Sequence, residues 1–134
     1  NPLQVDKCCL PPCHVLLQFY VCNGKLSCHF YMRSIDFFLG APFNFSSYAL
    51  LTCLIAKITN LQPHELIWSG GDTHLYVNHF DAVKEQLNRD PYPFPKLNIK
   101  KDIKTLEDIE NMSFEDLELV DYKCHPVIKA EMAI

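Results

Sequence analysis

An apolar run, a two-residue turn and an alternating run follow one another without interruption, and this succession restricts the fold more than any other feature of the chain. Residues 15–21 (VLLQFYV) are nearly all apolar, the pattern of a strand covered on both faces. Asn23-Gly24 comes next, a pair that tolerates positive φ in a type I′ turn. Residues 25–34 (KLSCHFYMRS) then alternate, with Leu26, Cys28, Phe30 and Met32 on one face and Ser27, His29, Tyr31 and Arg33 on the other. The prediction is a β-hairpin whose register is set by its turn.

Residues 42–59 change period. Phe45, Tyr48, Ala49, Thr52, Cys53 and Ala56 recur at helical spacing, and no charge interrupts them before Lys57, which predicts a central, buried helix. Asn60 is its stop, with Pro63 just beyond. Residues 65–76 (ELIWSGGDTHLY) read as a strand broken by a bulge at Gly70-Gly71, where the backbone must bend or approach something closely. Residues 78–88 predict a short amphipathic helix that Asn78 can cap. Pro91, Pro93 and Pro95 then force an extended link. Residues 100–121 hold eight of the sixteen carboxylates, interrupted by Ile103, Leu106, Ile109, Phe114 and Leu117, and read as a solvated layer of helix and strand. The last eight residues are mostly apolar again.

Composition limits what such a chain can do. Its 134 residues correspond to one domain or part of one, and 49% hydrophobic against 21% charged residues excludes disorder for most of the length. The net charge of −4 excludes sequence-independent affinity for nucleic acid, so any bound anion needs a local site. The longest apolar stretch is too short for a membrane span. Seven cysteines are an odd number, no secretory segment is recognisable, and no pair of CxxC knuckles occurs, which together predict a reduced, cytoplasmic thiol protein. The first residues run straight into the chemically richest segment, and the expectation is a single partial domain lacking its N-terminal portion.

Cys13-His14, behind Pro11-Pro12, joins a rigid approach to a thiol beside an imidazole. A thiol becomes a nucleophile when a neighbouring positive charge favours the thiolate. Arg33 is the only arginine among the first 88 residues, and it opens an Arg33-Ser34-x-Asp36 run at the end of the hairpin's second strand. Asn44 is a polar amide entering an apolar helix, where capping alone would account for it. Asp72, His74 and Tyr76 alternate on one strand face just after two glycines. Cys9-x3-Cys13-His14 has a metal-like spacing but no second ligand pair, and no metal is predicted.

Taken in order, PPCH at 11–14, QFYV at 18–21, RSxDxxLGxPFN at 33–44, SYALLT at 47–52, GDTHLYxNH at 71–79, PxPFPKL at 91–97 and the terminal IKxExAI closely resemble the thymidylate synthase family over essentially the whole chain. The resemblance is to roughly the family's C-terminal half. It implies an α/β (α+β) fold, a mixed sheet with a central buried helix and surface helices. It also implies methylation of deoxyuridine monophosphate (dUMP) at uracil C5, with 5,10-methylenetetrahydrofolate as one-carbon and hydride donor.

Carried over residue by residue, the resemblance makes Cys13 the nucleophile that adds to uracil C6 and Arg33 a phosphate ligand close enough to favour its thiolate. Ser34 adds a hydroxyl to the same phosphate. Asp36 meets the pyrimidine through its N–H and helps order the folate. Asn44 reads uracil N3–H and O4, and His14 joins the proton network near O4. His74 and Tyr76 reach the ribose 3′-hydroxyl. Leu39, Gly40, Phe43 and Ala133 line the folate side, and the segment ending Met132-Ala133-Ile134 folds over the bound complex to exclude water. The implied assembly is a homodimer across a sheet face whose partner supplies further phosphate-binding arginines. These 134 residues by themselves are therefore expected to turn over little or not at all. The neighbouring alternatives are a deoxypyrimidine-monophosphate hydroxymethylase of the same superfamily and a catalytically silent dimerisation or regulatory module. Four positions depart from the family pattern: Met32 replaces a glutamine, Cys8-Cys9 replaces Met-Ala, and His29 replaces a glutamine.

Overall fold

A computed structural model describes residues 2–132. The hairpin forms as its sequence requires, with strand β1 (His14–Cys22) antiparallel to β2 (Lys25–Asp36). Asn23 at φ 50° and Gly24 at φ 72° make the tight turn, and Cys22 pairs with Lys25 across it. Helix α1 (Ala41–Ile58) then carries the chain over one face of the sheet to β3 (Gln62–His74), which pairs parallel to β2. A parallel return needs such a crossover, and the sheet order is β1-β2-β3. A short 3-10 turn (Val77–His79) leads into α2 (Phe80–Leu87), and an extended proline segment leads to β4 (Lys96–Ile99). Strand β4 pairs antiparallel with β5 (Leu117–Val120), and α3 (Leu106–Glu110) lies between them in sequence.

The core lies between α1 and the sheet. Phe30, Met32, Ile35 and Ala41 are buried together, with Phe45, Tyr48, Leu66, Trp68 and Cys13 packed around them. Phe30 stacks on Tyr48 at 3.9 Å between ring centroids and meets Phe45 edge-on. Helix α1 stops where its sequence indicates. Asn60 takes φ 55°, its N–H reaches the Lys57 carbonyl and the Leu61 N–H reaches that of Ala56, a Schellman end.

Several expectations are corrected. Strand β1 is an edge strand and is not covered on both faces: Leu16 is 62% and Tyr20 63% exposed, because α1 packs over β2 and β3. Helix α1 is the central helix the pattern predicts, with Thr52, Leu54 and Ala56 buried and Phe43 76% exposed. Gly70-Gly71 forms no bulge, since Met32 pairs with Gly70 and Ser34 with Asp72 in even register. Close approach explains both glycines instead. A Cβ on Gly70 would lie 2.2 Å from the Trp68 ring, and one on Gly71 would lie 2.7 Å from the Arg33 carbonyl oxygen. The register shift of β3 falls earlier, opposite residues 26–28, and the strand ends at His74 rather than Tyr76. Asn78 caps nothing; its amide donates to the Glu131 carbonyl.

The acidic layer is held by caps. Thr105 and Asp108 form a reciprocal capping box on α3, and Ser113 and Asp116 form another on the 3-10 turn Phe114–Asp116. The backbone N–H of Lys104 holds the Asp108 carboxyl below its usual range, and that of Ser113 does the same for Asp116. Both groups titrate lower folded than unfolded, so their stabilisation is present at neutral pH and fades as pH falls through the depressed values. Amide protection at residues 104–116, taken relative to the intrinsic exchange rate at each pH, should therefore fall below about pH 4 before that of the β1–β3 core; simultaneous loss of both would show that the caps carry no local stability. Phe30→Ala should cost about 3–5 kcal/mol in urea unfolding.

Candidate functional site

Cys13 lies where the hairpin departs from even pairing. From Cys22 up to Leu16 each β1 residue faces a β2 partner in constant register, but His14 pairs with Met32 and not with Arg33, so an extra residue is inserted at Val15. The insertion moves Cys13 by one place and sets it opposite Arg33, whose backbone N–H donates to the Cys13 carbonyl at 2.9 Å. Bulges commonly re-aim a side chain in this way beside a site.

The Arg33 side chain completes the arrangement. Its Nε donates to the Pro12 carbonyl at 2.9 Å and its Nη2 to the Pro11 carbonyl at 2.8 Å, while Nη2 lies 3.7 Å from Cys13 Sγ. The two prolines stiffen the approach, and their carbonyls hold the guanidinium against the sulfur. Cys13 is half-buried, neither sealed in the core nor fully in water. Burial pushes the Cys28 and Cys53 thiols up, so those two remain protonated and inert.

Next to Cys13, the His14 ring bridges two elements. Its Nδ1 is 3.0 Å from Tyr48 Oη and its Nε2 is 3.4 Å from Asn44 Nδ2. Asn44 and Tyr48 stand one turn apart on α1 and so share a face. Asn44 makes no cap, and its amide is held out toward His14. Tyr48 was not singled out as a site residue by sequence reasoning, although its four-residue spacing from Asn44 carried the signal.

Asp36 ends β2 opposite His74, and its carboxylate turns inward on the chain. Oδ1 accepts from the N–H of Phe38 at 3.0 Å and of Leu39 at 3.3 Å, and the Asp36 carbonyl accepts from Gly40 N–H at 3.0 Å. That turn presents Leu39 and Gly40, with Phe43 one helical step beyond. The close approach at Gly40 is to Asp36 itself, whose carbonyl oxygen would be 2.9 Å from an added Cβ. Ser34 is half-buried opposite Asp72, and among the described residues no hydrogen bond joins it to Arg33.

His74 stands edge-on to Tyr76 with ring centroids 5.0 Å apart. Its Nδ1 is 3.5 Å from Asp72 Oδ1 without hydrogen-bond geometry. Tyr76 therefore continues past the end of the strand instead of alternating along it. The wholly buried His79 follows, bonding through Nε2 to the Glu131 carbonyl at 2.7 Å. This anchor ties the C-terminal segment down beside Tyr76; the sequence motif at 71–79 includes His79, but nothing in it indicated the partner at Glu131. Met132 is exposed, whereas Ala133 lies outside the described residues. A separate apolar cavity of about 1070 Å³ opens among Phe37, Phe45, Leu87 and Tyr92, and none of Cys13, His14, Arg33 or Asn44 lines it. Among the described residues no three His, Cys, Asp or Glu side chains converge as a metal site would require, and no helix is long and apolar enough to cross a membrane.

The structure thus brings Cys13, His14, Arg33 and Asn44 together and joins Asp36 to His74 through strand pairing. A sequence model of the thymidylate synthase family matches residues 1–134, and the chain belongs to that family. Arg33→Met should slow alkylation of Cys13 by iodoacetamide about tenfold, the size of one charge-assisted hydrogen bond, when followed by mass mapping of the Cys13 peptide. An unchanged rate would mean that the guanidinium does not act on the sulfur.

Proposed function

We propose that this member of the thymidylate synthase family supplies the nucleophile and the pyrimidine-reading groups of a site that converts dUMP to dTMP. The observation that supports this most directly is the Cys13 sulfur 3.7 Å from the Arg33 guanidinium, on a turn that the same guanidinium clamps. A cation so placed stabilises negative charge on sulfur, and a soft thiolate suits addition to C6 of the uracil enone. The new C6–S bond shifts an electron pair through C5 toward O4, so C5 becomes nucleophilic. Elimination later restores the thiolate.

Around this step the other residues bind and orient. Nη1 of Arg33, which no described group engages, is available to a phosphate oxygen, with the Ser34 hydroxyl next along the strand. Asn44 accepts from uracil N3–H and donates to O4, and His14 beside it moves a proton near O4. His74 and Tyr76 meet the ribose hydroxyl. The Asp36 carboxylate shapes the 36–40 turn and so sets the position of Leu39, Gly40 and Phe43.

The family uses methylenetetrahydrofolate, which when bound supplies both the one-carbon unit and the hydride. Phe43, largely exposed at the start of α1, and Leu39 beside it give an apolar ledge suited to a flat pterin. Ala133 would close over that ledge from the segment anchored by His79.

A second copy of the chain is the proposed partner. Leu16, Tyr20, Tyr31 and Ile67 are exposed on the side of the sheet away from α1, an apolar face of the kind homodimers bury. The partner would also bring further arginines to the phosphate.

On the full polypeptide, 5-fluoro-dUMP with methylenetetrahydrofolate should leave a covalent adduct on Cys13 that Cys13→Ser abolishes. Failure of any adduct to form would overturn the reaction. With dUMP, a 5-methyl product supports the synthase and a 5-hydroxymethyl product the related hydroxymethylase. Ile67→Asp should lower the sedimenting mass to that of one chain if the sheet face is the interface.

A further inference from the structure

We infer that Asp72 is a positioning residue for the sugar: its carboxylate holds the proton of the His74 ring on Nδ1, which leaves Nε2 as a bare acceptor and obliges the 3′-substituent to carry a hydrogen-bond donor. This rests on the reading of His74 as the residue that meets the ribose 3′-hydroxyl.

The backbone brings the two side chains together. Asp72 and His74 stand two apart on β3 and so share a face, and both are paired to β2 in even register, Asp72 with Ser34 and His74 with Asp36. Their separation is therefore set by a strand and not by a loop. The Tyr76 ring meets the imidazole edge-on, with centroids 5.0 Å apart and an interplanar angle of 80°, and limits how far it can turn.

Nδ1 is the informative atom. It is shielded from water and has no hydrogen-bond partner among the described residues, while Oδ1 of the Asp72 carboxylate lies 3.5 Å away. An ionised carboxylate only accepts, unlike a hydroxyl, which fits either tautomer of an imidazole. A bare Nδ1 would set a shielded lone pair against a negative charge, whereas a protonated Nδ1 turns the same contact into attraction. Turning the ring over would bring a carbon to the carboxylate and forfeit that attraction. The approach thus selects the Nδ1–H tautomer before any ligand arrives.

The tautomer decides what the 3′-position must be. A neutral imidazole with its proton on Nδ1 offers Nε2 as an acceptor, so the group opposite has to donate. A 3′-hydroxyl does so and keeps its lone pairs for the Tyr76 hydroxyl. A substituent that can only accept, such as fluorine, meets lone pair with lone pair and is refused. An amide in place of the carboxylate removes the constraint, because its amino end can donate to a bare Nδ1 and let the proton sit on Nε2.

The test uses Asp72→Asn in the full polypeptide, an exchange at a side chain that is 72% exposed. At about pH 8.5, well above the ordinary imidazole value of about 6.5, nitrogen-15 spectra of the unmodified protein should show His74 as the Nδ1–H tautomer, with Nε2–H gaining population in Asp72→Asn. An Nε2–H tautomer or an imidazolium in the unmodified protein, or the same tautomer balance in both proteins, would overturn the proposal. The preference for dUMP over 2′,3′-dideoxy-3′-fluorouridine monophosphate, read as the ratio of dissociation constants, should fall about tenfold in Asp72→Asn, the scale of one hydrogen bond. An equal weakening of both nucleotides would mark Asp72 as merely structural and also overturn it. Should Asp72→Asn not fold, the tautomer of the unmodified protein decides alone. Failure of the unmodified protein to bind dUMP would remove the ribose reading of His74 and the proposal with it, whereas a dUMP-binding protein with the wrong tautomer removes only the role of Asp72.

Discussion

Strand β2 is hydrogen-bonded along both edges, to β1 in antiparallel and to β3 in parallel sense, and almost every feature of the molecule refers to it. Its inward residues Phe30 and Met32 carry the core against α1, its Arg33 reaches the proline carbonyls and the sulfur of Cys13, and its last residue Asp36 both pairs with His74 and shapes the following turn. A strand held on two sides cannot slip by one residue without reversing every side chain it carries. The site therefore inherits its geometry from the one strand of this sheet that is paired along both edges. Loops contribute side chains, but the strand sets where they meet.

Much of this was legible in the residue pattern. The alternation of 25–34 gave β2 its faces, Asn23-Gly24 gave the turn, and Asn60 gave the helix stop, because in each case a local conformational preference agrees with the tertiary outcome. The inserted residue at Val15 was not legible. In a run as uniformly apolar as 15–21 there is no alternation whose phase could reveal a shift, so the one distortion that sets Cys13 opposite Arg33 leaves no mark. Gly70-Gly71 misled for the converse reason. Glycines mark close approach as readily as bending, and here the approaching groups, Trp68 and the Arg33 backbone, are identified only by the packed structure.

The site was legible to a different degree from the fold. Neighbourhood of Cys13 and Arg33 was implied by the family resemblance, but the two proline carbonyls that hold the guanidinium could not be foreseen, since they depend on how an arginine side chain folds back across a bulge. Asn44 was equally explicable as a cap until the amide was seen to reach His14 instead. The cover of β1 was not legible either: a run patterned for cover on both faces lies open because α1 packs over β2 and β3.

Trp68 gives the molecule a property unrelated to its chemistry. It is the only tryptophan of the chain, and its indole lies 6.0 Å from the Phe37 ring and 5.4 Å from that of Phe45. Phe37 opens the turn that Asp36 organises, and Phe45 belongs to the helical turn that bears Asn44. Any rearrangement that draws on both would alter the surroundings of a single fluorophore, so the emission of the unlabelled protein is an internal gauge of how its two flanks move relative to each other.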